Sequence, residues 1–456
     1  MAKEFQEQGG AATMDPNRVL RWLTSRVMSI VSQSSRLANK HYKLEQKRIK
    51  TGARHVVEYF HQVDDGYSHL AAQILEPLAQ RYDIDLQCHL VSGPPGKNSA
   101  EPELLLQLSR YDSWQVAEAY GLEFEQHAAE PEASLVQLAS RILAAQSSAE
   151  FASCAAQVGR ALWSDDREAL QRLAQELGCA SEEKLGIRME EGNSRREALS
   201  HYSGAMFFYG EEWYWGVDRL YHLERRLNEN GADRNSAATA LIPRPNFELG
   251  ATKDNGTMTL EIFPSLRSPY TAISFDRAVK LARDTGVKLS VRPVLPMVMR
   301  GVPATRQKGM YIFADTAREA HAAGVPFGNF YDPIGEPVRR GYSLYPWACE
   351  QGKGTELISA FLGCAFAQGV NLNTDKGLQK VVEKAGLDWS QAKSIVGNSD
   401  WQEQLEVNRL AMYDSGLWGV PSFRLLDENG KELLSLWGQD RLWLFSQEIQ
   451  RQIAGR

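Results

Sequence analysis

The sequence predicts a mixed α/β protein that carries one arrangement twice: a strand-helix-strand unit, a run of helices, then a hairpin leading into a further helix. Three observations predict it. β-Branched and apolar runs alternate with helical periodicity over residues 55–91 and again over 257–294. A Trp-Gly-x-Asp-Arg-Leu segment occurs twice, each time after a short aromatic or apolar run broken by a turn. Blocks also recur at a nearly fixed distance. Tyr59-Phe60 and Tyr67-Ser68 match Ile262-Phe263 and Tyr270-Thr271 at an offset of 203 residues (270 minus 67), as does Gly121-Leu122-Glu123-Phe124 with Gly324-Val325-Pro326-Phe327. The tryptophan segments, Trp215 to Leu220 and Trp437 to Leu442, stand 222 apart (437 minus 215), so the second copy has gained residues between the blocks.

Taken in order, residues 15–44 have apolar residues at helical spacing behind an Asp15-Pro16 start, and residues 1–52 are expected as an N-terminal helical arm. The first copy occupies 53–230. It has strands at 55–60 and 86–91, a helix at 67–81, a long helical region over 103–199, and a hairpin and helix from 205 to 228. Residues 231–256, rich in Gly, Asn, Pro and small side chains, are expected as a linker. The second copy, 257–456, repeats the plan, with strands at 257–263 and 288–294 and a helix at 270–285. In its hairpin, residues 423–426 and 432–437 flank an Asp427-Glu428-Asn429-Gly430 turn, Gly438 ends the strand, and Asp440 stands where a helix begins. Pro421, just before a strand that looks central, marks either the strand's first residue or a cis bond in a tight turn.

At 456 residues with 43% hydrophobic and 24% charged residues, the chain has room for two or three domains with their own cores. A net charge of -6 leaves no broad footprint for nucleic acid or an anionic membrane, and no local basic patch is expected, so neither partner is. A polar N-terminus and the lack of any run of about 18 apolar residues point to a cytoplasmic protein. Five widely spaced cysteines, without C-x-x-C or a histidine cluster, are expected as buried free thiols; no metal site and no dithiol chemistry is expected.

Strand-helix-strand, helical insert, hairpin and helix is the succession of the thioredoxin fold with an inserted helical subdomain, and the expected architecture is two such domains in tandem. Four segments of the second copy carry a closer likeness: Arg267-Ser268-Pro269-Tyr270; Lys308-Gly309-Met310-Tyr311 with Asp315, Arg318 and Gly324-Val325-Pro326-Phe327; Gly419-Val420-Pro421-Ser422-Phe423; and Trp437-Gly438-Gln439-Asp440-Arg441. In these the copy resembles the 2-hydroxychromene-2-carboxylate isomerases and kappa-class glutathione transferases, relatives of the DsbA-type oxidoreductases.

The resemblance implies a glutathione-dependent isomerase or transferase acting on a small aromatic or conjugated electrophile. Ser268 would stand where redox relatives carry a nucleophilic cysteine, at a helix N-terminus whose free N–H groups favour an anion, and would hydrogen-bond glutathione's sulfur. Pro421 would be cis, and the backbone of Val420 would pair with the tripeptide as an added strand. Gln439 and Asp440 would meet its γ-glutamyl end and Lys308 a carboxylate. Read without the resemblance, Ser268 and Asp440 are helix caps, Pro421 a turn proline and Lys308 a solvated charge. The family's asparagine has no counterpart in residues 295–307, where Arg300 is the substitute, and Tyr311, Phe313, Tyr345 and Trp347 are candidates to line a pocket. In the first copy Asp65, Ala205 and Leu105 stand at the places of Ser268, Pro421 and Lys308, so that copy is expected to bind no glutathione and to pack as a pseudo-dimer partner or lid, with a homodimer as the other arrangement. The rival function is a non-catalytic binding or scaffold protein.

Overall fold

The computed structural model describes residues 15–98, 100–247, 249–302 and 305–455. Among them the strands form two four-stranded sheets with the same order and pairing senses. In the first, β1 (His55–His61) lies between β2 (Ile84–Leu90), parallel to it, and β3 (Met206–Tyr209), antiparallel, with β4 (Glu212–Trp215) outside β3. In the second, β5 (Thr259–Phe263) sits likewise between β6 (Lys288–Val291) and β7 (Ser422–Leu426), with β8 (Glu432–Trp437) outside β7. The registers correspond: Phe60 faces Met206 and Phe263 faces Ser422. Each hairpin is closed alike, Gly216 N–H donating to the Ala205 carbonyl at 2.7 Å and Gly438 N–H to the Pro421 carbonyl at 3.0 Å.

The chain divides into two compact units, one from Lys40 to Asn246, the other made of the described residues through Asn39 together with those from Phe247 onward. Of the arm expected over 1–52, residues 1–14 lie outside the described residues. The segment breaks into helices Arg18–Val31 and Ser34–Thr51. The first is fastened by Arg21, whose Nη1 donates to the carbonyls of Asp332 (2.8 Å) and Ile334 (2.7 Å); further on, His41 meets Glu212 at 2.7 Å. The expected linker over 231–256 is docked at both ends. Asp233 pairs with Arg81 at 3.0 Å and Glu224 accepts from the N–H groups of Leu241 and Ile242, while the Asp254 carboxylate accepts from Gly256 N and Met258 N. Buried backbone donors need such partners, which a free linker would leave in water.

In the second unit the Pro269–Thr285 helix starts where Ser268 caps Thr271 N–H and Pro269 takes the first helical position, where its missing donor costs nothing. Thr271, Ile273, Phe275, Ala278, Leu281 and Ala282 are buried on it, as are Leu260, Ile262 and Phe263 on β5. Gly286 ends it at φ +80°, and a Cβ there would lie 2.1 Å from the Asp254 carbonyl, so two independent constraints require glycine. β6 is shorter than expected because Arg292 is followed by Pro293, which cannot extend the ladder.

Both central strands carry one buried carboxylate. Glu261 receives Arg292 (3.1 Å) and Arg424 (2.7 Å), and Glu58 receives His89 (3.2 Å) and Arg195 (2.7 Å on each oxygen). All five cysteines are free; Cys88, Cys154 and Cys364 are buried as expected, but Cys179 and Cys349 are exposed. Burial pushes the Cys88 thiol up to about 12 and Cys154 to about 11, which leaves both unreactive. Among the described residues no cluster of three or more His, Cys, Asp or Glu is placed to hold a metal, and no helix is long and apolar enough to cross a membrane.

Burial alone would raise the Glu58 carboxyl, but Arg195 and His89 overcome it and hold it at about 2. A folded value below the unfolded one, about 4.5, means that this contribution to stability is complete above that pH and disappears as pH falls towards about 2. Urea unfolding followed at pH 7, 4 and 2.5 should show the loss, and Glu58→Gln, already without the charge, should flatten that part of the pH profile.

Candidate active site at a helix N-terminus and a cis-proline

The fold brings Ser268 to Val420 and Pro421 by pairing β5 with β7: the loop that follows Phe263 and the loop that precedes Ser422 emerge at the same end of the sheet. The Val420–Pro421 peptide is cis, so Pro421 lies directly before the strand and is itself buried. Ser268 is 8% exposed. Its Oγ accepts from Thr271 N–H at 3.1 Å and donates to the Val420 carbonyl at 3.3 Å. The capping role and the placement beside Val420 therefore hold together. The first turn of the helix directs its partial positive charge into the same place.

The cis-proline loop is braced from below. Gly419 passes so close to Trp437 that a Cβ on it would stand 2.3 Å from the indole, which excludes any larger residue. Trp418, 2% exposed, packs its ring on Trp437 at 4.9 Å between centroids. Arg300 donates to the carbonyls of Leu295 (2.9 Å) and Trp418 (3.3 Å) and lies 3.5 Å from Tyr413 Oη. Burial lowers its pKa. Arg300 thus ties the turn after β6 to the residues before Pro421 and braces the loop there. Leu266 N–H donates to Tyr342 Oη (3.1 Å), which donates to the Val294 carbonyl (2.8 Å), and Arg267 forms a two-pronged pair with Asp332 (3.0 and 3.1 Å), so the loop carrying Ser268 is fixed on both sides.

Lys308 lies in the first turn of the Arg306–Ala323 helix, and its Nζ stands 5.9 Å from the centroid of the Trp418 ring. It is half-buried, and burial lowers the pKa of its ammonium. Lys308 therefore borders the same loop as Ser268. Gln439 does not present its side chain to the site. It is 1% exposed, its Nε2 donates to Glu319 Oε2 at 3.0 Å, and its Oε1 accepts from Arg277 at 3.3 Å. Asp440 lies in a short 3-10 turn, Gln439–Arg441, ahead of the Leu442–Ala454 helix, whose capping position is Arg441. The N-cap reading of Asp440 is thus displaced by one residue; its carboxylate lies 3.7 Å from Arg441 and remains partly exposed.

The aromatic candidates divide. Phe313 belongs to the core, stacked among Phe327 (5.2 Å) and Phe330 (5.0 Å), and Tyr345 donates to the Val291 carbonyl at 2.9 Å, so neither is a pocket wall. Trp418, Tyr342, Asp332 and Glu319 escaped the sequence reading. Only Trp418 gave a signal, a tryptophan directly before the glycine of the Gly419 to Phe423 segment.

In the unit from Lys40 to Asn246, Asp65 caps the Gly66–Arg81 helix at the place of Ser268. Its carboxylate is sealed by Ser68 N–H (3.0 Å), Ser68 Oγ (2.9 Å) and Ser109 Oγ (2.9 Å), and burial raises its pKa. Both units keep a tyrosine on this helix hydrogen-bonded to an aspartate, Tyr67 to Asp112 at 2.8 Å and Tyr270 to Asp315 at 2.7 Å. The two helix starts thus share this tyrosine-aspartate bond and differ in the capping group.

Residues 259–450 match the family model of the DSBA-like thioredoxin domain. Over 202 residues the chain is 22% identical to a 2-hydroxychromene-2-carboxylate isomerase of Pseudomonas putida, covering 42% of this chain and 95% of the relative. Among solved structures it is similar to 2-hydroxychromene-2-carboxylate isomerase, at 19% identity and TM-score 0.37, with 43% of this chain and 97% of that one covered. It is also similar to a probable DsbA oxidoreductase of Streptomyces coelicolor, at 20% identity and TM-score 0.35, with 44% and 91% covered.

Replacing Arg300 by Met should cost about 2 kcal/mol of stability, because two carbonyls lose a charged donor inside the protein. Chemical denaturation measures the loss. Hydrogen exchange should rise in the segment around Trp418 before the rest of the unit responds.

Proposed function

We propose that the DsbA-like thioredoxin domain of residues 259–450 binds glutathione and uses it as an isomerase or transferase on a small aromatic or conjugated electrophile. The observation that carries the reading is the Ser268 hydroxyl at a helix N-terminus, 3.3 Å from the Val420 carbonyl beside the cis-proline. In the free protein that hydroxyl donates to Val420. An extended peptide that adds a strand along Val420 offers its own N–H to the carbonyl and releases the Ser268 proton for the peptide's sulfur. The hydroxyl and the helix N-terminus then stabilise the thiolate. Lys308 beside Trp418 takes a carboxylate of the tripeptide. Asp440, partly exposed, faces the ammonium, and Gln439 contributes backbone, since its amide is held by Glu319 and Arg277.

The thiolate adds to the conjugated carbon, forming a C–S bond as the double-bond electron pair moves onto the carbonyl oxygen. A carbon–carbon bond that has become single rotates. Return of the electron pair expels the thiolate and restores the double bond, so an isomerase leaves glutathione unchanged; a transferase instead protonates the adduct and releases it. Disulfide exchange is closed to Ser268 because a hydroxyl forms no stable mixed disulfide.

We further read the chain as two tandem DsbA-like copies, 53–230 and 257–456. The shared strand order, the equivalent registers at Met206 and Ser422, and the paired tyrosine-aspartate bonds support it. Asp65 and Ala205 leave the first copy without the groups this chemistry needs. The engaged Gln439 amide favours the second reading, a non-catalytic thioredoxin-fold binding protein.

Calorimetric titration with glutathione decides between them. The enzyme reading expects saturable heat below millimolar ligand and glutathione-dependent turnover of a cis-configured conjugated acid, falling about a hundredfold or more in Ser268→Ala while binding changes less than about threefold, the pattern of a group that acts on the reacting sulfur. No heat at millimolar glutathione transfers the assignment to the binding protein.

A further inference from the structure

The Arg18–Val31 helix is docked with its polar side inward. Arg21 donates to two carbonyls, Ser25 Oγ accepts from Asp332 N–H (2.9 Å), Ser29 Oγ accepts from Phe330 N–H (2.9 Å), and Ser32 Oγ donates to the Gly328 carbonyl (3.0 Å). Residues 21, 25, 29 and 32 thus form one row that follows the main chain of residues 328–334. The consequence is that the apolar side faces out. Val19, Leu20, Trp22, Leu23, Val27 and Val31 are between 40% and 66% exposed. Soluble proteins ordinarily bury such a stripe, and a contiguous one marks a binding surface.

Charge selects the partner. The helix carries Arg18, Arg21 and Arg26 and no acidic residue, and from Arg18 to Arg54 the chain has ten Lys or Arg against the single Glu45, in a protein whose net charge is -6. That local patch corrects the expectation of none. Arg18 and Arg26 are exposed, and at 100° per residue each falls 40° from Trp22, Arg26 towards the apolar side and Arg18 towards the polar side. A second copy of the helix would bring arginines of the same sign to the seam. An anionic surface complements both the charge and the apolar face. An amphipathic helix with aromatic and aliphatic residues on one side and arginines along the edge has the composition of a segment that lies in a bilayer interface.

We propose that the Arg18–Val31 helix is a peripheral docking element for an anionic phospholipid surface, its apolar stripe entering the headgroup boundary and Arg18 and Arg26 meeting phosphates. The polar row holds the helix on the second unit while it does so, so the helix need not detach or refold.

Co-sedimentation of the full chain with vesicles tests this. Vesicles containing about a third phosphatidylglycerol should bind it about tenfold or more tightly than pure phosphatidylcholine, and raising salt should erase most of the difference. The triple variant Trp22→Ser, Leu23→Ser, Val27→Ser should lose about tenfold or more of the binding while its thermal midpoint falls by no more than a few degrees, because all three residues are about half exposed. Equal binding to both vesicles, or none to either, overturns the proposal. So does lipid-free sedimentation in which the wild type self-associates and the triple variant does not, since the stripe then covers a second copy.

Discussion

The hydrogen bond from Ser268 Oγ to the Val420 carbonyl joins the two parts on which the rest of the C-terminal unit is organised, a helix N-terminus and a cis-proline loop separated by 152 residues in sequence. Neither part holds its position alone. The loop bearing Ser268 is fixed through Tyr342 and through the Arg267–Asp332 pair, and the loop bearing Pro421 through Arg300, Trp418 and Trp437. The antiparallel pairing of β5 with β7 supplies the coarse alignment, and these side chains set the last ångströms.

The N-terminal unit has the same sheet order with a different group at the helix start. Its sheet order, hairpin closure and tyrosine-aspartate bond are equivalent, but the cap is a carboxylate shut in by two serines, one of them from the helix that holds Asp112. A buried acid whose pKa is raised is a structural cap, and its charge at that place would oppose a thiolate. At this end of the sheet the two units carry different side chains, consistent with function residing in sites placed on folds.

Much of this was legible in the sequence because it rests on local patterns. Strand alternation, the Ser268-Pro269 helix start, the Gly430 turn and the recurring Trp-Gly-x-Asp-Arg-Leu segment each leave a signal within a few residues. The Ser268–Pro421 juxtaposition was legible through the order of four motifs. What was not legible depends on contacts across long separations. Nothing near Gln439 indicates that Glu319 and Arg277 occupy its amide, and nothing near Arg300 indicates that the Trp418 carbonyl is its partner. The docking of the N-terminal helix was not legible for a related reason: its apolar spacing is that of a core-facing helix, and only the row of partners at residues 328–334 reveals that the polar side is the one that docks.

The central claim is that Ser268 and the helix N-terminus lower the pKa of a bound glutathione thiol. Ultraviolet difference titration of the thiolate band in the glutathione complex measures that pKa directly. The account predicts a value at least about one unit below that of free glutathione in the wild-type complex, with most of the shift lost in Ser268→Ala at saturating ligand. An unshifted thiol in the wild-type complex, or an equal shift in both proteins, would contradict it.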